Sequence, residues 1–306
     1  MTSLPLIAGL ELGGTKCVAI LGSGPDDIRA RQSLPTTDPA TTLQSLEAIL
    51  DSWTFDAIGI AAFGPLDLDP ASPSFGSVAH TTKAGWTGTD LAGRLTDRYA
   101  KPLAIQTDVV GAAVAEGRWG AAQGLSSHCY ITIGTGVGVG LLSAGQPVQG
   151  AAHGEAGHMH VKRAAGDCFP GWCPYHGDCI EGLISGPALA LRFGRPGQEL
   201  PDDGPEWDDF IHDLTGLLHN LVVVAAPERI AIGGGVIGTR HFLFPRLRTQ
   251  LASSIAGYGT LSSYAGQLNE RLGPPGLGAL AGPMGAIAMG LAALEIPCSN
   301  PSTISQ

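Results

Sequence analysis

Residues 4–21, LPLIAGLELGGTKCVAIL, contain two apolar runs that are separated by a short polar turn. The run before Glu11 and the run Cys17–Leu21 each have the length and composition of a buried β-strand. The intervening residues, ELGGTK, include two adjacent glycines, which favour a tight turn. We therefore expect the chain to begin with a β-hairpin whose turn presents backbone N–H groups.

The same arrangement recurs near the middle of the chain. Cys129–Ile133 and Val137–Leu142 are predicted strands, and Gly134-Thr135-Gly136 forms the turn between them. Two halves that each open with a strand, a glycine turn and a strand indicate an internal duplication. We expect two domains with a ligand cleft between them.

The segments after each hairpin alternate between helical and strand patterns. Helices are predicted over residues 40–53, 89–99, 108–119, 207–226, 241–255 and 283–294, and strands over 55–62, 103–106 and 229–232. This alternation is typical of α/β sheets with covered faces. We expect an N-terminal domain over residues 1–115, completed by a C-terminal helix over 283–295, and a second domain over 116–282. The tail 296–306 is rich in Ser and Pro and is expected to fray.

The composition excludes several classes of protein. Of the 306 residues, 44% are hydrophobic and 14% are charged, which predicts a large core and little disorder. A net charge of −10 argues against a nucleic-acid partner and an anionic membrane surface. The apolar runs are too short to span a bilayer, and no basic leader precedes an apolar run. We expect a cytoplasmic protein.

Residues 154–182, GEAGHMHVKRAAGDCFPGWCPYHGDCIEG, concentrate metal-ligating side chains. Cys173, His176 and Cys179 form a Cys-x-x-His-x-x-Cys motif, and His158 would supply a fourth ligand from upstream. Two thiolates and two imidazoles make a full tetrahedral zinc set. Because protein fills all four positions, we interpret the site as structural rather than catalytic.

The other cysteines have simpler interpretations. Cys168 lies in the same polar loop and could compete for a ligand position. Cys17, Cys129 and Cys298 lie in or beside apolar runs, where cysteine behaves as a small buried hydrophobe. A long chain without a secretory signal argues against a disulfide framework.

Three glycine clusters could form anion-binding nests of backbone N–H groups. They are Gly13-Gly14, Gly134-Thr135-Gly136 and Gly233-Gly234-Gly235. A single cluster is better explained as a tight turn, but three of them, two at equivalent places, favour a nucleotide phosphate site. Neither the P-loop pattern nor the dinucleotide fingerprint fits these clusters.

Polar residues beside the turns could complete such a site. Glu11 could orient Mg²⁺ through water, which that ion tends to retain. Thr15, Lys16 and Thr135 could contact phosphate oxygens, although Lys16 is equally well explained as a solvated charge at a strand end.

Asp108 is the candidate general base, at a strand-to-helix junction. The alternative is a plain helix N-cap, a common role for Asp. A helix N-terminus stabilises a carboxylate, so a low pKa is expected. That is compatible with phosphoryl transfer, where the main task of the base is to orient the attacking hydroxyl.

Together these motifs resemble the ROK family of sugar kinases over nearly the whole chain. Residues 11–16 look like its first phosphate motif, 133–138 like its second, and 232–236 like its adenosine motif. The resemblance implies an actin/hexokinase-like, RNase-H-like two-domain fold with the ligand cleft between the domains. It also implies ATP with Mg²⁺ as the phosphoryl donor and a homodimer formed through the C-terminal domain.

The resemblance also assigns residues to roles. Asp108 matches the catalytic base, and Glu155, His158 and Glu181 match residues that bind sugar hydroxyls, with His158 also a zinc ligand. Further sugar-side positions are Gly64, Pro65, Lys83 and Thr107. The ATP-side positions are Glu11, Gly13, Gly14, Thr15, Lys16, Gly134, Thr135, Gly136, Gly186, Pro187, Gly233, Gly234 and Gly235.

Departures from the family pattern narrow the expected substrate. Most members have Asp in place of Glu11, Asn in place of Thr107, and a Cys-x-Cys-Gly zinc loop. The motifs here look like those of the bacterial fructokinase branch: AFGPLD at 62–67, SPSFG at 72–76, TTKAGW at 81–86 and CPYHGDCIE at 173–181. The implied reaction is ATP-dependent phosphorylation of fructose at its 6-hydroxyl.

Three alternatives to a fructokinase stay open. The first is a related kinase acting on mannose, glucose or N-acetylmannosamine. The second is a repressor of the same family, which needs a DNA-binding helix-turn-helix before the first strand. The third is a catalytically idle sugar sensor, against which the presence of Asp108 and all three glycine turns argues.

Overall fold

The computed structural model describes residues 4–295, and these form two compact units. Unit one comprises the described residues up to 111 together with those from 283 onward, and unit two comprises residues 112–282. The predicted fraying tail and Cys298 lie outside the described residues.

Ten strands and ten α-helices are present in the described chain. The strands are β1 (Ile7–Leu12), β2 (Lys16–Gly24), β3 (Asp27–Pro35), β4 (Ala57–Ala62), β5 (Leu103–Thr107), β6 (His128–Ile133), β7 (Val137–Ser143), β8 (Gln146–Pro147), β9 (Arg229–Gly233) and β10 (Leu272–Gly273). The helices are α1 (Pro39–Leu50), α2 (Ala92–Tyr99), α3 (Asp108–Trp119), α4 (Ile180–Ile184), α5 (Gly186–Phe193), α6 (Glu206–Ala225), α7 (Leu243–Ile255), α8 (Leu261–Ala265), α9 (Leu268–Arg271) and α10 (Ala281–Glu295).

The sheet of unit one has the strand order β3-β2-β1-β4-β5. Strands β1, β2 and β3 pair antiparallel, whereas β4 pairs parallel with β1 and β5 pairs parallel with β4. Leu12 pairs with both Cys17 and Ala62, and Ala62 pairs with Thr107. The chain therefore leaves β1, β4 and β5 at the same edge of the sheet.

The sheet of unit two repeats this pattern, with the strand order β10-β9-β6-β7-β8. Strands β6, β7 and β8 pair antiparallel, while β9 and β10 extend the other side in parallel. The two sheets thus share one order and one set of strand directions, as an internal duplication requires. The predicted α/β class is confirmed.

Helix α10 is packed in the core of unit one by means of glycines. A Cβ atom on Gly59 of β4 would lie 1.9 Å from the carbonyl oxygen of Ala286, and one on Gly290 would lie 2.2 Å from Ile7. Among the described residues, Gly278–Glu295 is the one segment apolar and long enough to cross a membrane, and 56% of it is buried. Its close contact with β1 and β4 explains this apolar character as that of a core helix.

Several elements differ from the sequence-based expectation. Strand β3 was not predicted, because DIRARQSLP is largely polar and its side chains are mostly exposed. Helix α2 begins at Ala92 rather than 89, since Ser77 forms a bridge with Asp90 that holds the preceding residues extended. The short helices α4 and α5 follow the metal-ligand segment, which was treated as one loop.

Candidate active site

The carboxyl edge of the unit-one sheet gathers three of the predicted site segments. The glycine turn follows β1, Phe63-Gly64-Pro65 follows β4, and Asp108 follows β5. Because these strands are parallel neighbours in register, their ends lie side by side. Ligands of α/β sheets bind preferentially at such an edge.

The first glycine turn is closed by its own backbone. Gly13 N–H donates to the Lys16 carbonyl oxygen at 3.0 Å, and a Cβ on Gly13 would lie 2.8 Å from that same oxygen. A Cβ on Gly14 would meet nothing within 4 Å. Gly13 is therefore required by the turn itself, whereas Gly14 leaves the backbone open to a ligand.

Thr36, which sequence analysis missed, supports this turn from the end of β3. Its hydroxyl donates to the Gly13 carbonyl at 2.7 Å, and its N–H donates to the Thr15 carbonyl at 3.0 Å. No local signal identifies Thr36, because the contact depends on the pairing of β2 with β3.

Glu11 is the predicted metal-orienting acid at the end of β1. Burial raises the pKa of its carboxyl, while Lys16 and Arg31 partly counteract this through their charges. A carboxyl of this kind is stabilised as the anion when a further cation lies nearby.

Thr107, rather than Asp108, caps helix α3. The Thr107 hydroxyl accepts a hydrogen bond from Val110 N–H at 3.3 Å, and α3 begins at Asp108. The alternative interpretation of Asp108 as the plain N-cap is therefore wrong. Asp108 lies in the first turn, where its Oδ1 accepts from Val109 N–H at 2.9 Å. The helix N-terminus there favours the carboxylate form.

The segment after β4 carries the other predicted sugar-side residues of unit one. The Gly64–Pro65 peptide is cis, and the Pro65 carbonyl accepts from Ala79 N–H at 2.8 Å. The loop then reaches Trp86, which is fully buried, and Lys83, whose Nζ donates to the Gly14 carbonyl oxygen.

The carboxyl edge of the unit-two sheet gathers the remaining glycine turns. Gly134 N–H donates to the Gly136 carbonyl at 2.9 Å, and the Gly134 carbonyl accepts from Gly186 N–H at 2.7 Å. A Cβ on Gly134 would lie 3.9 Å from Gly235 N, and one on Gly234, where φ is +93°, would lie 2.4 Å from the Ile133 carbonyl oxygen. The structure thus brings the second turn, the third turn and the start of α5 together. Thr135 and Gly233 belong to these turns, and Pro187 follows Gly186 in the first turn of α5.

Glu181 connects the second turn to the metal-ligand segment. Its Oε2 accepts a hydrogen bond from Val137 N–H at 3.1 Å, and a Cβ on Gly136 would lie 2.5 Å from the same oxygen. Any side chain at position 136 would displace this carboxylate.

The four predicted zinc ligands form one cluster. The ligand atoms of His158, Cys173, His176 and Cys179 all lie within 4.8 Å of one another. His158 Nδ1 is 3.5 Å from Cys179 Sγ and 3.6 Å from Cys173 Sγ, and His176 Nδ1 is 3.8 Å from Cys173 Sγ. Cys168 is exposed and is not one of these four.

These separations fit a tetrahedral metal ion. Zn–S bonds of 2.3 Å and Zn–N bonds of 2.0–2.1 Å at a tetrahedral angle place sulfur and nitrogen about 3.6 Å apart. Without a cation, the pKa of the Cys179 thiol is raised to about 11, chiefly by burial and also by the neighbouring Cys173. A divalent cation reverses this effect, since metal ligation requires the thiolate.

Two close backbone contacts position the ligands. A Cβ on Gly157 would lie 1.8 Å from the Val137 carbonyl oxygen, so the turn that carries His158 packs directly on β7. Cys173 and Gly177 exchange two backbone hydrogen bonds of 3.1 and 2.9 Å, which fold the intervening loop back on itself. The metal cluster is thereby fixed to the sheet of unit two.

Glu155 lies between the cluster and a histidine that sequence analysis missed. His153 Nδ1 is 3.5 Å from Glu155 Oε1. Burial raises the pKa of the Glu155 carboxyl, whereas His153 and His158 lower it. His153 could have been identified from the sequence because it lies two residues before Glu155, a predicted site residue.

A partly buried ionic network, also missed, connects the metal-ligand segment to α5 and α6. Arg163 pairs with Asp167 at 2.6 Å and Asp178 at 2.9 Å. Arg192 of α5 pairs with Asp167 at 2.7 Å and with Asp213 of α6 at 2.9 Å. Only Arg163 and Asp167 are close in sequence, four residues apart, and spacing alone does not identify the other pairs.

Comparison with known proteins finds relatives that match nearly the full length of this chain. The ROK family profile matches residues 7–292. A fructokinase from Pediococcus pentosaceus is 37% identical over 290 residues, covering 95% of this chain and 99% of the relative. A fructokinase from Zymomonas mobilis is 38% identical, covering 93% and 96% respectively. The solved ROK hexokinase from Thermus thermophilus has a TM-score of 0.74 at 25% identity, covering 95% of this chain and 99% of that one.

Proposed function

The chain belongs to the ROK family, and from this premise we propose that it is an ATP-dependent fructokinase. The reaction transfers the γ-phosphoryl group of ATP to the 6-hydroxyl of fructose. The observation that carries the proposal is the similarity over nearly the whole length to relatives described as fructokinases. The fructokinase-like motifs of the sequence agree with it.

In unit one, Asp108 is proposed as the general base. Its place in the first turn of α3 supports an ionised carboxylate that orients the sugar hydroxyl and accepts its proton. Gly64, Pro65, Lys83 and Thr107 are proposed to contact the sugar.

The first glycine turn is proposed to contact the ATP phosphates. Gly13 closes the turn, and Gly14, Thr15 and Lys16 offer backbone N–H groups, a hydroxyl and an ammonium group. Glu11 lies at the end of β1 directly before this turn, so its carboxylate would help to hold Mg²⁺. When bound, Mg²⁺ would neutralise charge on the transferred phosphoryl group.

In unit two, the second and third glycine turns with Gly186 and Pro187 are proposed to hold the nucleotide. Their convergence on one edge of the sheet supports this assignment. Glu155, His158 and Glu181 are proposed to bind sugar hydroxyls. Two carboxylates and one imidazole supply several acceptors and donors for such groups.

Zinc is proposed as the metal of the His158, Cys173, His176 and Cys179 cluster. The donor set and the sulfur–nitrogen separations support it. With all four positions filled by protein, the ion would be structural. It would fix the segment that carries Glu155 and Glu181.

The proposed assembly is a cytoplasmic homodimer that acts on small molecules rather than nucleic acid, as the net charge of −10 supports. Size-exclusion chromatography with light scattering tests the dimer. A mass of one chain in solution would refute it.

An ADP-release assay with a panel of sugars tests the proposed reaction. Fructose should give the highest kcat/KM, above mannose, glucose and N-acetylmannosamine. Turnover that is highest with another sugar would replace fructose as the substrate. Sugar binding without ADP release from any sugar would indicate a sensor instead of a kinase.

A further inference from the structure

The loop over residues 81–86 is joined to the first glycine turn by a direct hydrogen bond. Lys83 Nζ donates to the Gly14 carbonyl oxygen, across 69 positions of sequence. The same ammonium group lies 5.9 Å from the centre of the Phe63 ring, which directly precedes Gly64-Pro65. Lys83 thus contacts both the segment after β4 and the turn after β1.

A second link joins the same two segments by a different route. Trp86 Nε1–H donates to the Thr37 carbonyl at 2.8 Å. The adjacent Thr36 donates its hydroxyl to the Gly13 carbonyl and its N–H to the Thr15 carbonyl. The buried Trp86 ring packs edge-on against Phe63, with the ring centres 5.1 Å apart. The 36–37 segment therefore connects Trp86 to the glycine turn.

From these two links we infer that unit one couples sugar binding to nucleotide binding through Lys83, with Trp86 as the second connection. The inference rests on the proposed function, which places sugar against the 81–86 loop and phosphate at the glycine turn. Lys83 acts here as a positioning residue, in addition to any contact with the sugar. The coupling is a property of the loop and the turn, not of the chemical step.

The coupling should be positive for a physical reason. A sugar that orders the 81–86 loop also orders Lys83, and the hydrogen bond then holds the Gly14 carbonyl in one orientation. The backbone N–H groups of the turn are thereby fixed before the phosphate arrives, and the entropy cost of binding falls. The ammonium group also places a positive charge beside the turn. By linkage, the nucleotide must tighten sugar binding by the same factor.

Isothermal titration with fructose, in the presence and absence of saturating Mg²⁺ and a non-hydrolysable ATP analogue, measures this coupling without turnover. The ratio of the two dissociation constants is the coupling factor. In the unsubstituted protein we expect a factor of at least about fivefold, the lower end of typical allosteric coupling. Lys83→Met keeps the length of the side chain but removes its donor, and should reduce the factor to near one.

Matched variants separate coupling from general damage. Lys101→Met changes an exposed lysine at the opposite end of β5, and should leave the factor unchanged. Lys83→Arg keeps a donor and should restore much of the factor. Trp86→Phe keeps an aromatic ring but removes the Nε1–H, and should lower the factor even if Lys83→Met fails to fold. Thermal melting checks the fold of each variant.

Two results would overturn the inference. One is equal fructose affinity with and without the nucleotide analogue in the unsubstituted protein. The other is a coupling factor in folded Lys83→Met or Trp86→Phe that is within twofold of the original. The proposed function fails by a different result, which is binding of both ligands with coupling but without ADP release.

Discussion

Gly157→Ala should displace the turn that carries His158 and weaken the metal site. The added Cβ would lie 1.8 Å from the Val137 carbonyl oxygen, in strand β7, which lies between β6 and β8. Contacts under 3.0 Å essentially never occur, so the two backbones must separate by at least 3.0 − 1.8 = 1.2 Å. Metal–ligand distances tolerate a shift of only about 0.2 Å.

The magnitude follows from this mismatch. His158 Nδ1 cannot stay at bonding distance unless the strand or the ligand loop deforms, which typically costs about 1–3 kcal/mol. Because 1.4 kcal/mol corresponds to a factor of ten, zinc affinity should fall by about 10- to 100-fold. Competition with a chromophoric chelator measures that affinity, and metal content after dialysis gives an independent readout.

Gly154→Ala is the matched control in the same segment. A Cβ at Gly154 would meet nothing within 4 Å, so zinc affinity and melting temperature should stay unchanged. Equal zinc affinity in Gly157→Ala and Gly154→Ala would refute the reasoning. It would show that the contact with β7 does not position His158.

Four further changes test the site and the fold. Asp108→Asn should lower kcat by about 10²- to 10⁴-fold while titration shows fructose affinity largely kept, and near-normal kcat would refute its role as the base. Cys179→Ser should lose zinc and lower the melting temperature, and an active, zinc-free variant of unchanged stability would contradict the structural role of the metal. Burial raises the pKa of Glu11 above 4.5, so its contribution to stability is fully present below its unfolded pKa and is lost as the pH rises through its folded pKa. Urea titrations at several pH values measure how the free energy of unfolding depends on pH. Glu11→Gln should weaken this dependence in the range where Glu11 titrates, and an unchanged dependence would contradict the burial argument. Gly59→Ala should destabilise unit one by about 3 kcal/mol, since its Cβ would overlap the backbone of α10, while Gly150→Ala, with open space around it, should be neutral in the same melts.

The hairpins around the glycine turns were predictable because their signal is local. An apolar strand, a short turn and a second apolar strand identify β1 with β2, and β6 with β7. The bounds of β6 and β7 agree with the prediction within one residue, whereas β2 extends three residues beyond the predicted run. Strand β3 gave no such signal, because it is held by backbone pairing with β2 while its polar side chains remain exposed. A strand stabilised in this way is not identified by a hydrophobic pattern.

The metal-ligand set was also predictable, since three of its members lie within seven residues and carry side chains rarely clustered without a metal. The supporting contacts were not. Whether Arg192 reaches Asp167 and Asp213 depends on the packing of α5 against α6, which no spacing rule describes. The roles of individual residues toward sugar and ATP stay predictions.

The two glycine turns that follow β1 and β6 differ in the side chains that support them, although the two sheets repeat one pattern. Both occupy the same place in sheets of identical order, each between two antiparallel strands. The first turn is supported by the Thr36 hydroxyl, which donates to the Gly13 carbonyl. The second is supported by the Glu181 carboxylate, which accepts from Val137 N–H.

This difference has a chemical consequence for the two turns. A hydroxyl that donates to a carbonyl orients the first turn without adding charge, whereas a carboxylate beside the second turn adds a negative charge next to its N–H groups. Phosphate would therefore be favoured electrostatically at the first turn, where Lys16 and Lys83 also lie. The second turn, which we propose to hold the nucleotide together with the third, is instead tied by Glu181 to the metal-ligand segment. The two strand–turn–strand hairpins thus have similar backbones, and side chains from later segments make the two turns chemically different.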